Sequence, residues 1–157
     1  EKFLLMEKAD EDRIPKKVMR MFMCQYLLSK TYKDMFDENK ILSAYSDETE
    51  RFEAHHIIPL GTVKKVGEST KKLRDDEKNI CNSPLNFVYI TKKANKEISD
   101  ESLKDYVQKI NAEAKAKLHI TAYTNSDIPQ DQVKQILRER YDFLKGDIRE
   151  RISTLLS

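Results

Sequence analysis

Two short runs of β-branched and aromatic residues stand out in a chain whose other apolar residues are spaced as in helices. The first run, Phe52 to Ile58, is ended by Pro59, and the second, Asn86 to Thr91, follows the turn signal Ser83-Pro84. Runs bounded in this way are typical of strands. The chain is therefore predicted to form a helix, a strand, a loop, a strand, a short helix and two long helices. This order indicates an α+β fold that is mainly helical.

Apolar residues at three- and four-residue steps predict the helices. Ile14-Pro15 is expected to begin the first helix, and Asp127 with Pro129 the last. Lys92 to Ser99 is expected to form a short helix, and Asp34 to Glu50 loops around another. The apolar faces are Val18, Met19, Phe22, Met23, Tyr26 and Leu27 in the first helix, Leu103, Tyr106, Val107, Ile110 and Leu118 in one longer helix, and Val133, Ile136, Leu137, Tyr141, Leu144, Ile148, Ile152 and Leu155 in the last. Arg138, Arg140, Arg149 and Arg151 alternate with acids and are expected to form the polar face of the last helix.

Composition restricts the class of protein. The 157 residues suit one domain with a substantial core, and 39% hydrophobic with 36% charged residues argue against disorder. The net charge is only +2, so a nucleic-acid-binding surface would need locally concentrated positive charge. Cys24 and Cys81 are isolated, which excludes a four-cysteine zinc site and favours a reducing, cytoplasmic location. No apolar run approaches the roughly 18 residues that span a bilayer, so no membrane partner is expected.

The adjacent histidines His55 and His56 lie on the first predicted strand, where successive side chains point to opposite sides. Such a pair suits two separate roles better than chelation of one ion. Phosphodiester hydrolysis needs two roles of this kind, a base that takes a proton from water and a cation that offsets charge on the phosphate. Histidine suits the first because its pKa lies near neutrality. Taken alone, however, neighbouring histidines are more often without function.

Two asparagines give the pair a context. Asn86 opens the second predicted strand, and Asn95 lies in the short helix that follows it. A strand, loop, strand and helix carrying His55, His56, Asn86 and Asn95 in this order resembles the HNH, or His-Me finger (ββα-metal), nucleases. The segment from Asn86 to Lys96 looks much like the corresponding segment in the HNH domain of CRISPR effector nucleases.

The resemblance assigns a role to each residue. It implies that His55 and Asn95 ligate a divalent cation and that His56 is the general base. It also implies that Asn86 braces the hairpin and helps to fix the base. One imidazole and one amide supply no negative charge, so Mg²⁺, the expected ion, would depend on water and substrate phosphate. Mn²⁺ or Ni²⁺ would bind the imidazole better.

Three further features near the motif have both a functional and an ordinary interpretation. Glu53 lies on the strand face of His55 and would add a carboxylate. Lys96 would contact the scissile phosphate, or would be a solvated lysine on a helix. The lysine-rich connection from Lys64 to Lys78 would follow a nucleic-acid backbone, or would be a solvated loop.

The helical flanks, with Ile128-Pro129 before the last helix, make the chain similar to the nuclease half of GmrSD-like restriction and phage-defence proteins. This similarity implies one HNH nuclease domain over residues 1–157, with a motif core at 52–100 and helical flanks at 1–50 and 101–157. It also implies a longer protein with an N-terminal sensing domain, and DNA as the substrate. Pairing of two copies as a homodimer is left open. The alternative hypothesis is a catalytically inactive nucleic-acid-binding or helical interaction module that retains the hairpin.

Overall fold

A two-stranded antiparallel hairpin forms the sheet of the fold. The computed structural model describes residues 16–42, 51–63, 67–76, 78–99, 101–120 and 128–157. Strand β1 (Phe52–His56) pairs with β2 (Phe87–Thr91), and His56 lies opposite Phe87 in the register. Both strands form in the predicted segments, but β1 ends at His56 instead of Ile58. Asn86, expected to open the second strand, lies in a 3-10 turn just before it. The mainly helical α+β fold class is thereby confirmed.

Short helices and 3-10 turns stand around the hairpin. The connection between the strands contains α2 (Leu60–Val63), α3 (Thr70–Asp75) and two 3-10 turns, Ile80–Asn82 and Pro84–Asn86. Helix α4 (Lys92–Ile98) follows β2 directly, as predicted, and a third 3-10 turn spans Val107–Lys109. Thr91 ends β2 and caps α4, since its Oγ1 accepts a hydrogen bond of 3.2 Å from the backbone of Ala94. The hairpin and α4 thus form a continuous ββα unit.

The prediction of a single longer helix after residue 102 is wrong. The structure has α5 (Leu103–Tyr106), the 3-10 turn and then a separate α6 (Ala112–Leu118). Asn111 explains the break, because its Oδ1 accepts hydrogen bonds of 2.8 and 3.1 Å from the first turn of α6. Asparagine favours such a cap over a helix interior. The burial of the apolar residues predicted for this stretch is nevertheless confirmed.

Two long helices flank the ββα unit. Helix α1 (Lys16–Lys30) packs through Met23, Tyr26 and Leu27, whereas Phe22 stays 50% exposed. Helix α7 (Gln130–Leu156) buries Val133, Leu137 and Leu144, whereas Ile152 and Leu155 are 50% and 77% exposed. The predicted apolar faces of both helices are therefore only partly buried. No helix among the described residues is long and apolar enough to cross a membrane.

Arg140 corrects the expectation that the arginines of α7 form only its polar face. Its side chain is 2% exposed, and it donates hydrogen bonds to the backbone carbonyls of Leu118, at 3.0 Å from Nε, and of Leu85. Leu118 ends α6, where carbonyl groups lack helical partners and a cation is favourable. Arg140 therefore joins α7 to α6 and to the turn that precedes β2.

Some expectations fall outside the described residues. Ile14-Pro15, residues 43–50, Lys64, Lys65 and Asp127 belong to this group. Within residues 31–42, the expected short helix is not present. A bend closed by a bridge between Lys33 and Ile41 takes its place. Asp34 anchors this bend because its carboxylate accepts hydrogen bonds from the backbone of Phe36, at 2.8 Å, and of Thr91, at 2.6 Å.

Candidate active site

Glu53, His55 and Asn95 meet on one face of the ββα unit, which we call the hairpin side. Glu53 and His55 are two positions apart on β1, so their side chains leave the same face of the strand. Asn95 lies one turn into α4. Its Nδ2 donates to Glu53 Oε2 at 3.0 Å, and its Oδ1 lies 2.9 Å from His55 Nδ1. The three side chains therefore form one hydrogen-bonded chain.

The orientation of the Asn95 amide determines the state of His55. A carboxylate only accepts hydrogen bonds, so the amide nitrogen must face Glu53 and the amide oxygen must face His55. His55 Nδ1 then carries the proton that Oδ1 accepts. The other ring nitrogen, Nε2, is buried and has no partner in the described part of the chain. Burial lowers the pKa of His55, which leaves the imidazole neutral near pH 7.

The hairpin side fits a divalent cation in one respect and is sparse in another. Two neighbouring ligands about 2.1 Å from an octahedral ion are about 3 Å apart. The 2.9 Å between His55 Nδ1 and Asn95 Oδ1 has this length, although the same contact is a hydrogen bond in which Nδ1 carries the proton. Nδ1 could therefore ligate an ion only after that proton moves to Nε2. Within the described ranges, no three histidine, cysteine, aspartate or glutamate side chains group together as a metal site. An ion here would take the imidazole nitrogen, the amide oxygen, and further oxygens from water and phosphate.

His56 points to the opposite face of β1 and has a different neighbourhood. Its ring packs at 4.4 Å against Phe87, and its Nε2 lies 3.3 Å from Asn82 Oδ1. The Asn82 amide nitrogen donates to the backbone carbonyls of Leu73, at 2.7 Å, and Asp76, at 2.8 Å. These bonds keep Oδ1 facing His56, so Nε2 donates and carries the proton of the neutral ring. Nδ1 of His56 is therefore the nitrogen with a lone pair.

The residues around His56 keep its imidazole in the neutral form. Its pKa is lowered to about 4, chiefly because burial disfavours the imidazolium. The hydrogen bond to Asn82 opposes this shift. The electrostatic interaction with His55 and the positive charges of Arg74 and Arg20 add to it. At neutral pH the ring is therefore ready to accept a proton, although its pKa lies below the range that is best for a general base.

Asn86 holds the backbone on both sides of the site. It is fully buried, and its Oδ1 accepts a hydrogen bond of 2.9 Å from Ile58 N. Its Nδ2 donates to Cys81 O at 2.8 Å and to Ile58 O at 3.2 Å. Asn86 thus ties the segment after β1 to the turn before β2, and its part in fixing the base stays a prediction. The side chain hydrogen-bonded to His56 is Asn82.

His55, His56 and Asn95 line a common cleft of about 510 Å³. Arg20 of α1 and Arg74 of α3 line the same cleft, and together with Asn82 they form what we call the arginine side.

Lys96, which we expected near the scissile phosphate, is exposed. It does not belong to the lining of this cleft among the described residues.

The family to which the chain belongs follows from a match over most of its length. A family model for the C-terminal domain of GmrSD restriction endonucleases matches residues 5–145. The chain belongs to this family. This GmrSD C-terminal domain is therefore a restriction endonuclease domain. The matched range includes the residues of both sides of the cleft. Comparisons with curated proteins and with solved structures gave no match.

Sequence reasoning missed part of this GmrSD C-terminal domain's cleft. Neither Arg20 nor Asn82 is among the site residues predicted from the sequence. Arg74 was considered only as one cation of the lysine-rich connection. The only local signal for Asn82 is its position just before Ser83-Pro84, where an asparagine is ordinarily a turn residue.

Proposed function

We propose that this GmrSD C-terminal domain is a metal-dependent HNH endonuclease that hydrolyses phosphodiester bonds in DNA during restriction or anti-phage defence. The observation that carries the proposal is the division of the histidine pair. His55 faces the amide oxygen of Asn95, whereas His56 is neutral and has its Nε2 proton bound to Asn82. One histidine is thus available as a ligand and the other as a base, beside the same cleft.

The chain's own residues would perform the proton transfer. His56 Nδ1 takes a proton from a water molecule as the water oxygen attacks phosphorus. The bond from phosphorus to the 3′ oxygen breaks, and that oxygen takes a proton from solvent. A divalent cation held by His55 and Asn95, Mg²⁺ or else Mn²⁺ or Ni²⁺, supplies charge stabilisation for the phosphate and the leaving oxygen. Glu53 orients Asn95 and adds one negative charge beside this pair.

The low pKa of His56 is compatible with this role. The arginines of the cleft help to keep it low while no anion is bound. A phosphodiester group would bring a negative charge close to the ring and neutralise part of their effect. Its arrival would therefore raise the pKa of His56 towards the range in which a general base works best.

The remaining parts of the proposal concern the whole protein. We expect the domain to act in the cytoplasm, with an N-terminal domain that supplies target sensing. Cutting both strands of a duplex would require two copies or two successive nicks. The family, a C-terminal domain of restriction endonucleases, supports the expectation of an N-terminal partner domain.

The sparse set of metal ligands supports a second candidate. A nucleic-acid-binding module that retains the hairpin without cleavage would need neither an ion nor a base at His56. Such a module would still use the arginine side of the cleft. Metal response and cleavage separate the two candidates.

The test is nicking of supercoiled plasmid DNA with Mg²⁺, Mn²⁺ or Ni²⁺ and with a chelator. We expect the parent protein to cut only with a divalent ion, and His56→Ala to cut about 10²–10⁴-fold more slowly. His119→Ala is the matched control, because His119 stacks on Phe143 at 4.4 Å and lies outside the cleft lining. If His56→Ala cuts as fast as the parent, the role assigned to His56 is wrong. A parent that binds DNA and never cuts it supports the module.

A further inference from the structure

We propose that Arg20 and Arg74 form a phosphate-binding pair that holds a phosphodiester group of the substrate strand beside His56. The inference rests on the proposed function and adds the residues that bind the substrate backbone. Its starting point is the chain's charge, which is only +2 overall. A surface that binds a polyanion therefore needs cations concentrated at one place. The cleft supplies two guanidinium groups from separate elements.

Among the described residues, neither guanidinium group has a carboxylate partner. The ion pairs of the described residues join lysines to acids, as between Lys30 and Asp147 or Lys109 and Glu101. In the described part of the chain, neither Arg20 nor Arg74 pairs with an acidic side chain. A phosphate entering the cleft would therefore displace no ion pair.

Arg20 is held in place by neutral groups. Its guanidinium lies 5.1 Å from the ring centroid of Phe87, and its Nη2 donates to Asn82 O at 3.3 Å. Phe87 and Asn82 are also the two contacts that hold the ring of His56. Arg20 and the proposed base His56 thus contact the same two residues, which fixes the position of one relative to the other.

The guanidinium of Arg20 has donors to spare. It carries five N–H groups, and in the described structure one of its nitrogens donates to a neutral carbonyl. Guanidinium groups match phosphate oxygens in pairs, which makes arginine the usual residue for phosphate recognition. Arg74 brings a second guanidinium from α3 to the same cleft. A phosphodiester group, with two unesterified oxygens, fits a site of this kind.

Arg20 and Arg74 are also close to the proposed base. Both line the cleft with His56, and Asn82, whose Oδ1 faces His56, donates from Nδ2 to Arg74 O at 3.3 Å. The hairpin side, by contrast, contributes His55 and Asn95 to the cleft and, among the described residues, no lysine or arginine. Glu53, whose carboxylate accepts from Asn95, lies outside the lining. The arginine side is therefore the part of the cleft where the backbone phosphate would bind first.

Binding, measured apart from cleavage, tests the pair. Fluorescence anisotropy of a labelled DNA duplex in chelator gives Kd for the full chain at several salt concentrations. We expect Arg20→Ala and Arg74→Ala each to weaken binding about tenfold and to reduce the slope of log K against log salt by about one. In the double variant, the slope of log K against log salt should be reduced by about two. Arg149→Ala is the matched control, because Arg149 is exposed on α7 outside the cleft lining.

Lysine replacements and a competitor make the result specific. Arg20→Lys and Arg74→Lys should keep the salt slope and bind more weakly than the parent, and thermal melting identifies any variant that fails to fold. Inorganic phosphate should compete only at concentrations far above those of DNA. Unchanged Kd and slope in a folded double alanine variant would overturn the pair, as would a parent that does not bind DNA. If binding depends on both arginines while His56→Ala still cleaves, the catalytic proposal fails and the phosphate pair stands.

Discussion

The hairpin side and the arginine side of the cleft differ in charge and in how the chain builds them. The hairpin side brings together Glu53, His55 and Asn95, all within one ββα unit. The arginine side takes Arg20 from α1, Arg74 from α3 and Asn82 from a 3-10 turn. The first presents oxygen and nitrogen donors suited to a cation, and the second presents positive charge suited to an anion. His56 joins them, since it belongs to β1 but is hydrogen-bonded to the arginine side.

Local structure and tertiary packing therefore contribute separately to this site. A ββα unit alone could place a ligand and a base. It could not orient the base or bind a phosphate, because Asn82 and Arg20 reach His56 only when the connection and α1 pack against the hairpin. Variants on the two sides should therefore fail in different ways.

Removing the amide on the hairpin side should have the largest effect. Asn95→Ala deletes one of two proposed ligands and leaves Glu53 without its hydrogen bond. Loss of the ion's charge stabilisation amounts to several kcal/mol, so we expect the cleavage rate at saturating DNA to fall about a thousandfold. The thermal shift that Mn²⁺ causes in the parent should vanish, while DNA affinity in chelator should not change. An Asn95→Ala protein that still shows the Mn²⁺ shift would remove Asn95 from the proposed ligand set.

Acid should destabilise the metal-free protein through His56. The folded-state pKa of about 4 lies below the ordinary value of about 6.5, so the unfolded chain binds more protons between these two pH values. This contribution to the free energy of unfolding is present above pH 6.5 and is lost as the pH falls to 4. It amounts to at most about 3 kcal/mol. Urea unfolding at pH 7 and pH 4.5 in chelator measures it.

A variant isolates this contribution from that of the carboxylates. His56→Asn cannot titrate, so its free energy of unfolding should decrease less between pH 7 and pH 4.5 than that of the parent. His119→Ala should lose less of this dependence than His56→Asn, because burial also lowers the pKa of His119 but its ring is less buried than that of His56. Equal pH dependence in the parent and His56→Asn would show that the ring is not held neutral by the fold.

Removing the hydrogen bond between His56 and Asn82 should have a smaller effect on the cleavage rate. Asn82→Ala deletes the acceptor that fixes the Nε2 proton of His56, and a residue in this indirect position contributes about 10–100-fold to activity. We expect kcat to fall by this factor while KM for DNA changes little, since both arginines remain. The Mn²⁺ thermal shift should persist, which distinguishes this variant from Asn95→Ala. A loss confined to KM would instead mean that Asn82 acts through Arg20.

The hairpin side could be predicted from the sequence because its signals are local. Pro59 and Ser83-Pro84 bound the two strands, and the residues of the ββα unit follow in a fixed order. The arginine side could not be predicted, because Arg20 looks like any cation on an amphipathic helix until α1 is packed. Arg140 shows the same limit in the core, since only the packed structure reveals that its partners are the carbonyls of Leu85 and Leu118. The break at Asn111 did have a local signal, a capping residue inside an apolar pattern.

The smallest effect is expected at Lys96, which lies on α4 outside the cleft lining. The resemblance to HNH nucleases suggested a phosphate contact here, but the structure places Lys96 on the exposed surface of α4, outside the cleft lining. Lys96→Ala should therefore change the cleavage rate and the DNA affinity less than about twofold, as for a solvated surface charge. Arg74→Ala is the comparison, because it removes one positive charge from the cleft itself. If Lys96→Ala weakens DNA binding as much as Arg74→Ala, the DNA also follows α4, and the phosphate-binding surface extends to the hairpin side.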